Sequence, residues 1–157
     1  MKILMKFAGL VLLLSGHFSY ALSDINTEQE VTQWYQSYAD HWKNAKVDVS
    51  KVSHYYASPY YYLSTEGPLV DNTETMKASL QSYADNWQKD GWSGAKLLSL
   101  RVDMLNKSSA MIFTVWDIYR QDGSSVINCP QAPFTYLAAK TENGWKLTLE
   151  IENACPN

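Results

Sequence analysis

Two stretches of the chain repeat apolar residues at the spacing of an α-helix. Between residues 28 and 46 they recur every three or four positions, which places on one face Val31, Trp34, Tyr35, Tyr38, Ala39 and Trp42. Between residues 72 and 90 the same spacing aligns Met76, Leu80, Tyr83, Ala84 and Trp87. The pattern predicts two amphipathic helices, each with a wide aromatic stripe that suits packing on a broad sheet.

Polar residues next to these stripes predict where the helices begin and end. Asn26 or Thr27 can cap the first helix, because both side chains accept hydrogen bonds from the free N–H groups of a first turn. The second helix has three candidates of the same kind, Asp71, Asn72 and Thr73. Gly91 can end it, since glycine adopts the left-handed conformation common after a last turn.

The two stripes contain nearly the same heptad. QSYADHW at residues 36–42 and QSYADNW at residues 81–87 agree at six of seven positions. A repeat protein would carry a third copy near residues 126–132, where the chain reads VINCPQA and does not match. We therefore interpret the heptads as two helices packing on a common core, although an ancient duplication stays open as an explanation.

The segment between the helices predicts a short hairpin. Residues 48–55 form a helical turn, and residues 59–63 are rich in tyrosine, which favours a strand. Pro59 suits the first position of that strand, because proline cannot donate to a ladder. A turn at residues 65–68 would let Leu69 and Val70 pair back briefly.

After the second helix the pattern becomes that of strands. Residues 96–105 alternate apolar and polar side chains, and residues 110–120 are nearly all apolar, which predicts a strand covered on both faces. Residues 126–140 form the next strand, whose first half is interrupted by two prolines. In residues 145–152, four apolar residues alternate with Lys146, Thr148 and Glu150, which predicts one buried and one polar face.

The last predicted hairpin brings the two cysteines together. A turn near Asn143 and Gly144 places Cys129 nearly opposite Cys155 on neighbouring strands, within reach of a disulfide. Such a bond would stabilise the fold by roughly 3 kcal/mol. The alternative is a reactive thiol, but no histidine lies near either cysteine in sequence, and we expect a structural disulfide.

The N-terminus carries the features of a secretory signal peptide. Lys2 and Lys6 precede the apolar run at residues 7–14. Ser19 and Ala21 are small residues at the two positions that a signal peptidase reads, which predicts cleavage after Ala21. A membrane anchor is the alternative, but eight apolar residues are too few to span a bilayer, which needs roughly 20. Residues 1–21 are therefore predicted to be removed. Residues 22–157 would then be one domain, exported to the periplasm or secreted, with no membrane anchor.

Composition narrows the classes of partner. Without residues 1–21 the chain has 11 basic and 16 acidic residues, a net charge of −5, and its basic residues are scattered singly. Nucleic-acid binding needs a clustered basic surface, so we expect no nucleic-acid partner. His41 and His54 are the histidines after residue 21, too few and too far apart for a metal site. We expect neither a metal nor a cofactor.

The order helix, short helix, hairpin, helix and four long antiparallel strands resembles the NTF2-like superfamily. The passage HYYASP at residues 54–59 and the final ENGWKL at residues 142–147 are also similar to members of that group. The resemblance to SnoaL-like and ketosteroid isomerase-like proteins implies an α+β cone. In such a cone the helices pack in the concave face of a curved, mostly antiparallel sheet, and a pocket opens at the wide end.

The resemblance implies catalytic positions that this sequence does not fill. Ketosteroid isomerases place a carboxylate base at the start of the first strand, where this chain has Ser58. Their second acid would fall near Thr135 and Tyr136, where there is again no carboxylate. We therefore lean against an enzyme. Asp117 and His54 are the weak catalytic candidates that remain.

The density of tyrosine and tryptophan suggests what such a pocket would bind. The expected lining is aromatic: Trp34, Tyr38, Trp42, Tyr56, Tyr60, Tyr62 and Tyr136. Aromatic walls with a few hydroxyl groups suit a small hydrophobic or aromatic molecule. Two other functions stay open, an acid–base lyase, isomerase or cyclase, and a module that forms homodimers or binds another protein.

Overall fold

The computed structural model describes the backbone of residues 15–64 and 67–156, and the side chains of residues 26–64 and 67–156. Residues 1–14 of the predicted signal peptide lie outside the described part, and the side chains of residues 15–21 are not described either. Cleavage after Ala21 therefore stays a prediction. None of the described helices is both long and apolar enough to cross a membrane.

Three α-helices and six strands make up the described chain. In order they are α1 (Ser15–Asp40), α2 (Val49–Val52), a 3-10 turn (Ser53–Tyr55), β1 (Tyr56–Ser64), β2 (Gly67–Asp71), α3 (Thr73–Lys89), β3 (Trp92–Asn106), β4 (Ser109–Arg120), β5 (Ala132–Thr141) and β6 (Gly144–Glu152). The strands form one sheet in the order β2-β1-β6-β5-β4-β3. β1 and β6 are parallel and the other neighbours are antiparallel. The helices pack on one face of this curved sheet, which confirms the α+β cone.

Most residues of the predicted helix stripes are buried, but Tyr83 is exposed and one predicted boundary is wrong. Val31 and Tyr35 of α1 are fully buried, and Met76, Leu80 and Ala84 of α3 pack in the core. α1 does not begin at Asn26 or Thr27, because the helix continues through both towards Ser15.

The N-terminus of α3 follows the expected capping chemistry. The Asn72 side chain accepts hydrogen bonds from the backbone N–H groups of Glu74 and Thr75, and the Thr75 side chain bonds back to the Asn72 backbone. These bonds satisfy three backbone donors, the N–H groups of Asn72, Glu74 and Thr75, that a helix start would otherwise leave free. Gly91, with φ at +80°, follows the end of the helix.

The two heptads place their tryptophans in one cluster. The rings of Trp42 and Trp87 lie 5.9 Å apart, and both contact Trp92 at the start of β3. The shared tyrosines differ, since Tyr38 is buried and Tyr83 is 42% exposed. The two segments therefore meet on a common core, as the stripes predict, but they fill different parts of it.

The structure corrects the predicted burial of β4. Its residues alternate between buried and half-buried from Ser109 to Arg120, so only one face is covered. The helices lie on the concave side of the sheet, and no second layer of described residues covers the convex side. The segment 126–131, predicted to start a strand, contains a turn instead, and β5 begins at Ala132.

A β-bulge reverses the faces of β6. In the pairing with β5, Leu137 lies opposite Leu149 and Ala138 opposite Leu147, so Thr148 is the extra residue. Before the bulge, Trp145 and Leu147 point into the core. After it, Glu150 and Glu152 face the interior of the cone and line its pocket. The predicted clean alternation along residues 145–152 is therefore wrong beyond Thr148.

The cysteines form the predicted disulfide. Cys129 lies just before β5 and Cys155 just after β6, with their Cα atoms 5.8 Å apart. The bond thus joins the loop before β5 to the C-terminal segment, at the end of the sheet where the pocket opens.

Candidate functional site

A cavity of about 520 Å³ opens between the concave face of the sheet and α3. Aromatic rings form much of its wall, and six of the seven residues predicted from the sequence are among them: Tyr38, Trp42, Tyr56, Tyr60, Tyr62 and Tyr136. Trp34 does not line the cavity and packs instead against Tyr35 and Tyr55. A cavity of this size and apolarity is typical of small-molecule sites.

Glu150 is a half-buried acidic group in the wall of this cavity. The strand register places it beside Tyr62 of β1 and Tyr136 of β5. The Tyr60 hydroxyl donates a hydrogen bond to its Oε2 atom. The carboxyl group is therefore held in the middle of three neighbouring strands, surrounded by phenol rings.

Burial raises the pKa of Glu150 to about 7, because the ionised form loses most of its hydration among these rings. The hydrogen bond from Tyr60 stabilises the ionised form and lowers the pKa, and the Tyr136 hydroxyl acts in the same direction. The nearby charge of Glu152 raises the pKa further. Glu150 is thus a carboxyl group that can both accept and release a proton near neutral pH.

The tyrosines around Glu150 are linked to one another. The hydroxyl oxygens of Tyr38 and Tyr56 lie 2.7 Å apart, and the rings of Tyr56 and Tyr60 meet edge to face at 4.7 Å. Burial raises the pKa of Tyr56, Tyr60 and Tyr136, and the negative charge of Glu150 adds to the effect. These phenols therefore stay protonated at neutral pH and act as hydrogen-bond donors.

The mouth of the cavity carries two more carboxylates. Tyr62 donates a hydrogen bond of 2.8 Å to Oε2 of Glu152, and Ser79 donates one of 3.1 Å to Oδ1 of Asp71. β2 adds exposed apolar side chains there, Leu69 at 57% and Val70 at 60%. The mouth is thus acidic and apolar at once.

The charges of the lining have one sign. Asp71, Glu150 and Glu152 line the cavity, and no lysine, arginine or histidine of the described chain lines it. Tyrosine and serine hydroxyls partner these carboxylates and bring no positive charge. The site is therefore electronegative when Glu150 is ionised.

The structure does not bring the predicted catalytic candidates to this cavity. Asp117 lies on the face of β4 opposite to its pocket-lining neighbours Trp116 and Ile118. His54 is exposed on the 3-10 turn, and its backbone carbonyl accepts a hydrogen bond from Lys146. An acid–base pair of Asp117 and His54 is therefore not formed at the pocket.

Ser58, which occupies the expected position of a base, also lies away from the cavity. Its Oγ atom accepts a hydrogen bond of 3.1 Å from the backbone N–H of Thr73, at the start of α3. This contact ties β1 to the first turn of the helix. Ser58 therefore has a structural partner and no place in the pocket wall.

Glu150 was not among the residues predicted from the sequence. The bulge at Thr148 changes the face that Glu150 occupies, and a bulge leaves no fixed mark in the residue pattern. One signal was present in the sequence. Glu150 and Glu152 are two positions apart, and so are Tyr60 and Tyr62 on another strand. Such spacing places each pair on one face, where the two pairs now form hydrogen bonds.

The part of the chain with described side chains holds no group of three or more His, Cys, Asp or Glu residues placed to bind a metal ion. The titratable groups of the cavity are carboxyls and phenols. Such a set can hold a polar group of a ligand by hydrogen bonds and exchange protons with it.

Solved structures with the same architecture come from distant organisms. An NTF-2 like protein of unknown function from Shewanella oneidensis MR-1 shares 20% identity with a TM-score of 0.62, over 80% of this chain and 98% of that one. An NTF2-like protein with a cystatin-like fold from Novosphingobium aromaticivorans shares 13% identity with a TM-score of 0.64, over 91% and 90% of the two chains. The association domain of C. elegans CaMKII shares 14% identity with a TM-score of 0.61, over 84% and 98%.

These likenesses establish the fold. No curated protein matches the chain. The family described as NTF2-like protein (DUF6841) matches residues 28–154, most of the chain, and the chain therefore belongs to this NTF2-like family.

Proposed function

We propose that the protein binds a small, largely apolar molecule in the cone, with a polar group of the ligand held at Glu150. The observation that carries this proposal is a half-buried carboxyl group, of raised pKa, in the wall of an aromatic cavity of about 520 Å³. Rings such as Trp42, Trp116 and Tyr136 supply apolar contact area, while Glu150 and Tyr60 supply directed hydrogen bonds. Few precisely placed polar groups in an apolar wall are what a specific small-molecule site requires.

The placement of Glu150 supports binding over a purely structural role. A buried ionisable carboxyl group costs free energy unless it is fully partnered. Tyr60 donates to Oε2 and the Tyr136 hydroxyl also acts on the carboxyl group, so two phenols serve a carboxylate with about four acceptor positions. A ligand that donates to a remaining acceptor position would complete the coordination of this group.

Native mass spectrometry tests the proposal. Wild-type protein from an export-competent host is expected to keep an additional mass that leaves on denaturation. Glu150→Gln is expected to keep less of it, because the amide presents a weaker acceptor. Glu142→Gln is the matched control, since it is the same substitution at a glutamate that is exposed in the β5–β6 turn. Equal retention by both variants would show that Glu150 does not hold the ligand.

We also propose that the protein acts after export, as the mature domain 22–157. The disulfide between Cys129 and Cys155 supports this, because such bonds persist in oxidising compartments. The intact mass of protein recovered from an export-competent host is the measurement. A chain that begins at Leu22 supports export, and a chain that retains residues 1–21 contradicts it.

Acid–base catalysis is a second candidate, favoured by the pKa of Glu150 near 7. In this function Glu150 takes a proton from carbon next to a carbonyl group. Whichever of Tyr38 and Tyr56 accepts their shared hydrogen bond keeps its own O–H to donate to the developing oxyanion. The probe is 2-tetralone in deuterated water, followed by NMR. Wild type is expected to accelerate deuterium exchange at the carbon beside the carbonyl, and Glu150→Gln is expected to lose the acceleration. Exchange at the buffer rate with wild type would rule this chemistry out for the probe.

Homodimerisation is a further candidate, supported by the exposed apolar side chains of β3. Leu98 is 43% exposed and Leu105 is 56% exposed. The similarity of the fold to an association domain is compatible with such contacts. Light scattering after size exclusion is expected to give a dimer for wild type and a monomer for Leu98→Asp with Leu105→Asp. A wild-type monomer at high protein concentration would contradict this function.

A further inference from the structure

From the charge and the rings of the pocket we infer that its ligand is an organic cation, an amine or quaternary ammonium group attached to an apolar body. The inference rests on the proposed function, that the cone binds a small molecule. It adds the chemical class of that molecule. Neither the fold nor the family carries this information, since it depends on the side chains of this chain.

The first observation is the unbalanced charge of the site. Asp71 and Glu152 stand at the mouth and Glu150 lies deeper, and no basic side chain of the described chain lines the cavity. The ion pairs of the described residues involve other carboxylates, such as Asp103 with Arg101 and Glu30 with Lys140. An anionic ligand would meet repulsion along its whole path. A cation would be attracted at the mouth and inside.

The second observation is the arrangement of the rings. Neighbouring rings meet at steep angles instead of stacking: 63° for Trp42 with Trp87 and 86° for Tyr56 with Tyr60. Rings at such angles form corners, so several ring faces can surround one group. A cation within about 6 Å of a ring face is attracted by the ring quadrupole, most strongly for tryptophan. The walls of this cavity therefore attract the same charge as its carboxylates do.

The third observation concerns the group that would pair with the positive charge of a bound ligand. The Glu150 carboxylate lies among phenols that stay protonated at neutral pH, because burial raises the pKa of each, and it keeps acceptor positions beyond those that Tyr60 and Tyr136 use. An amine can donate to this carboxylate, and a quaternary ammonium group can pair with it without a hydrogen bond. The apolar body of the ligand then contacts the remaining rings and the aliphatic side chains of α3, Met76 and Leu80.

The proposal has a pH signature. A cation favours the ionised form of Glu150, so its affinity is expected to rise as the pH rises through the value of about 7 at which Glu150 releases its proton. Other groups that face Glu150 come from every surrounding element: Tyr35 and Tyr38 of α1, Tyr56, Tyr60 and Tyr62 of β1, Tyr83 of α3, Tyr136 of β5 and Glu152 of β6. The tyrosines stay protonated over this range, because burial raises the pKa of each.

The experiment compares three probes of nearly equal shape on wild-type protein by isothermal titration calorimetry. Benzyltrimethylammonium is the cation, neopentylbenzene is its neutral isostere, and phenylmethanesulfonate is the anion. The cation is expected to bind about tenfold or more tightly than the neutral probe, from cation–π attraction and the carboxylate together. The anion is expected not to bind. The affinity for the cation is expected to increase from about pH 6 to about pH 8, while that for the neutral probe stays flat.

Variants assign the preference to Glu150. Glu150→Gln is expected to lower the affinity for the cation about tenfold and leave the neutral probe within about twofold. Glu142→Gln, the exposed control, is expected to change neither. Equal binding of cation and neutral probe by wild type would overturn the inference and keep the proposed function. Binding of none of the three up to millimolar concentration would contradict both.

Discussion

Replacing Glu150 by glutamine is expected to stabilise the ligand-free protein at alkaline pH and leave it unchanged in acid. Burial raises the pKa of Glu150 in the folded protein from 4.5 to about 7. The folded state therefore favours the protonated carboxyl group. This contribution to stability is complete below pH 4.5 and is lost as the pH rises through about 7. Glutamine stays neutral at every pH and avoids the loss.

The size of the effect follows from the shift. One pKa unit corresponds to about 1.4 kcal/mol, so the shift from 4.5 to about 7 corresponds to about 3 kcal/mol. The variant and the wild type should therefore have similar free energies of unfolding near pH 4. Near pH 8 the variant should be more stable by up to about 3 kcal/mol. The gain is smaller to the extent that the hydrogen bond from Tyr60 is weaker to the amide than to the carboxylate.

Urea denaturation over a series of pH values, followed by tryptophan fluorescence, measures this difference. The midpoint of the variant should move up relative to wild type by about 1–2 M between pH 4 and pH 8. Glu142→Gln should show no such trend, because Glu142 is exposed in a turn. A difference in stability between Glu150→Gln and wild type that does not change with pH would refute the reasoning. It would mean that ionising Glu150 costs no free energy in the folded protein.

Three further predictions concern the fold. Cys129→Ser with Cys155→Ser opens a loop with a sequence separation of 26 and should lower the free energy of unfolding by about 3 kcal/mol, measured by urea denaturation; an unchanged midpoint would contradict it. Asn72→Ala removes the α3 cap and should cost about 1 kcal/mol in the same assay, whereas Asn143→Ala in the β5–β6 turn is a control without a helix cap. Gly94→Ala should cost about 1–3 kcal/mol, because a Cβ atom there would overlap the backbone oxygen of Lys43; full stability of this variant would show that the β3 start can move away.

Periodicity was enough to predict the helices, because burial of one face dominates their pattern. The stripe from Val31 to Trp42 and the stripe from Met76 to Trp87 both pack on the core. Capping chemistry succeeded for Asn72 and failed for Asn26 and Thr27, since a polar residue that can cap a helix can also continue one. The start of a helix therefore depends also on the residues that precede the possible cap.

The strands after the second helix were predictable in number and in their order along the chain, but which of their faces would be buried was not. The apolar run of β4 suggested two covered faces. Within the described residues, helices cover the concave side of the sheet alone, and the outer face of β4 is half-exposed. Apolar residues are common on exposed sheet faces, so composition could not separate the two cases. The disulfide was predictable because the register of the last hairpin follows from its turn.

The aromatic wall of the pocket was largely anticipated, whereas its acidic group was not. Six tyrosines and tryptophans chosen from the sequence line the cavity, because large aromatic residues in a cone of this kind have few other places to pack. Glu150 was assigned to the polar face of β6, and the bulge at Thr148 turned it inward. A single inserted residue thus decided the chemistry of the site, and it can be recognised only once the strand pairing is known.

The central claim is that Glu150 is an ionisable group in the wall of a cavity that receives a cationic ligand. Carbon-13 NMR of the glutamate carboxyl groups, with the Glu150 signal identified by its absence in Glu150→Gln, tests it most directly. The predicted result is a titration midpoint near pH 7 in the free protein, which moves to lower pH when benzyltrimethylammonium is added. A midpoint near 4.5 that the cation does not change would show an ordinary exposed carboxylate and contradict the account.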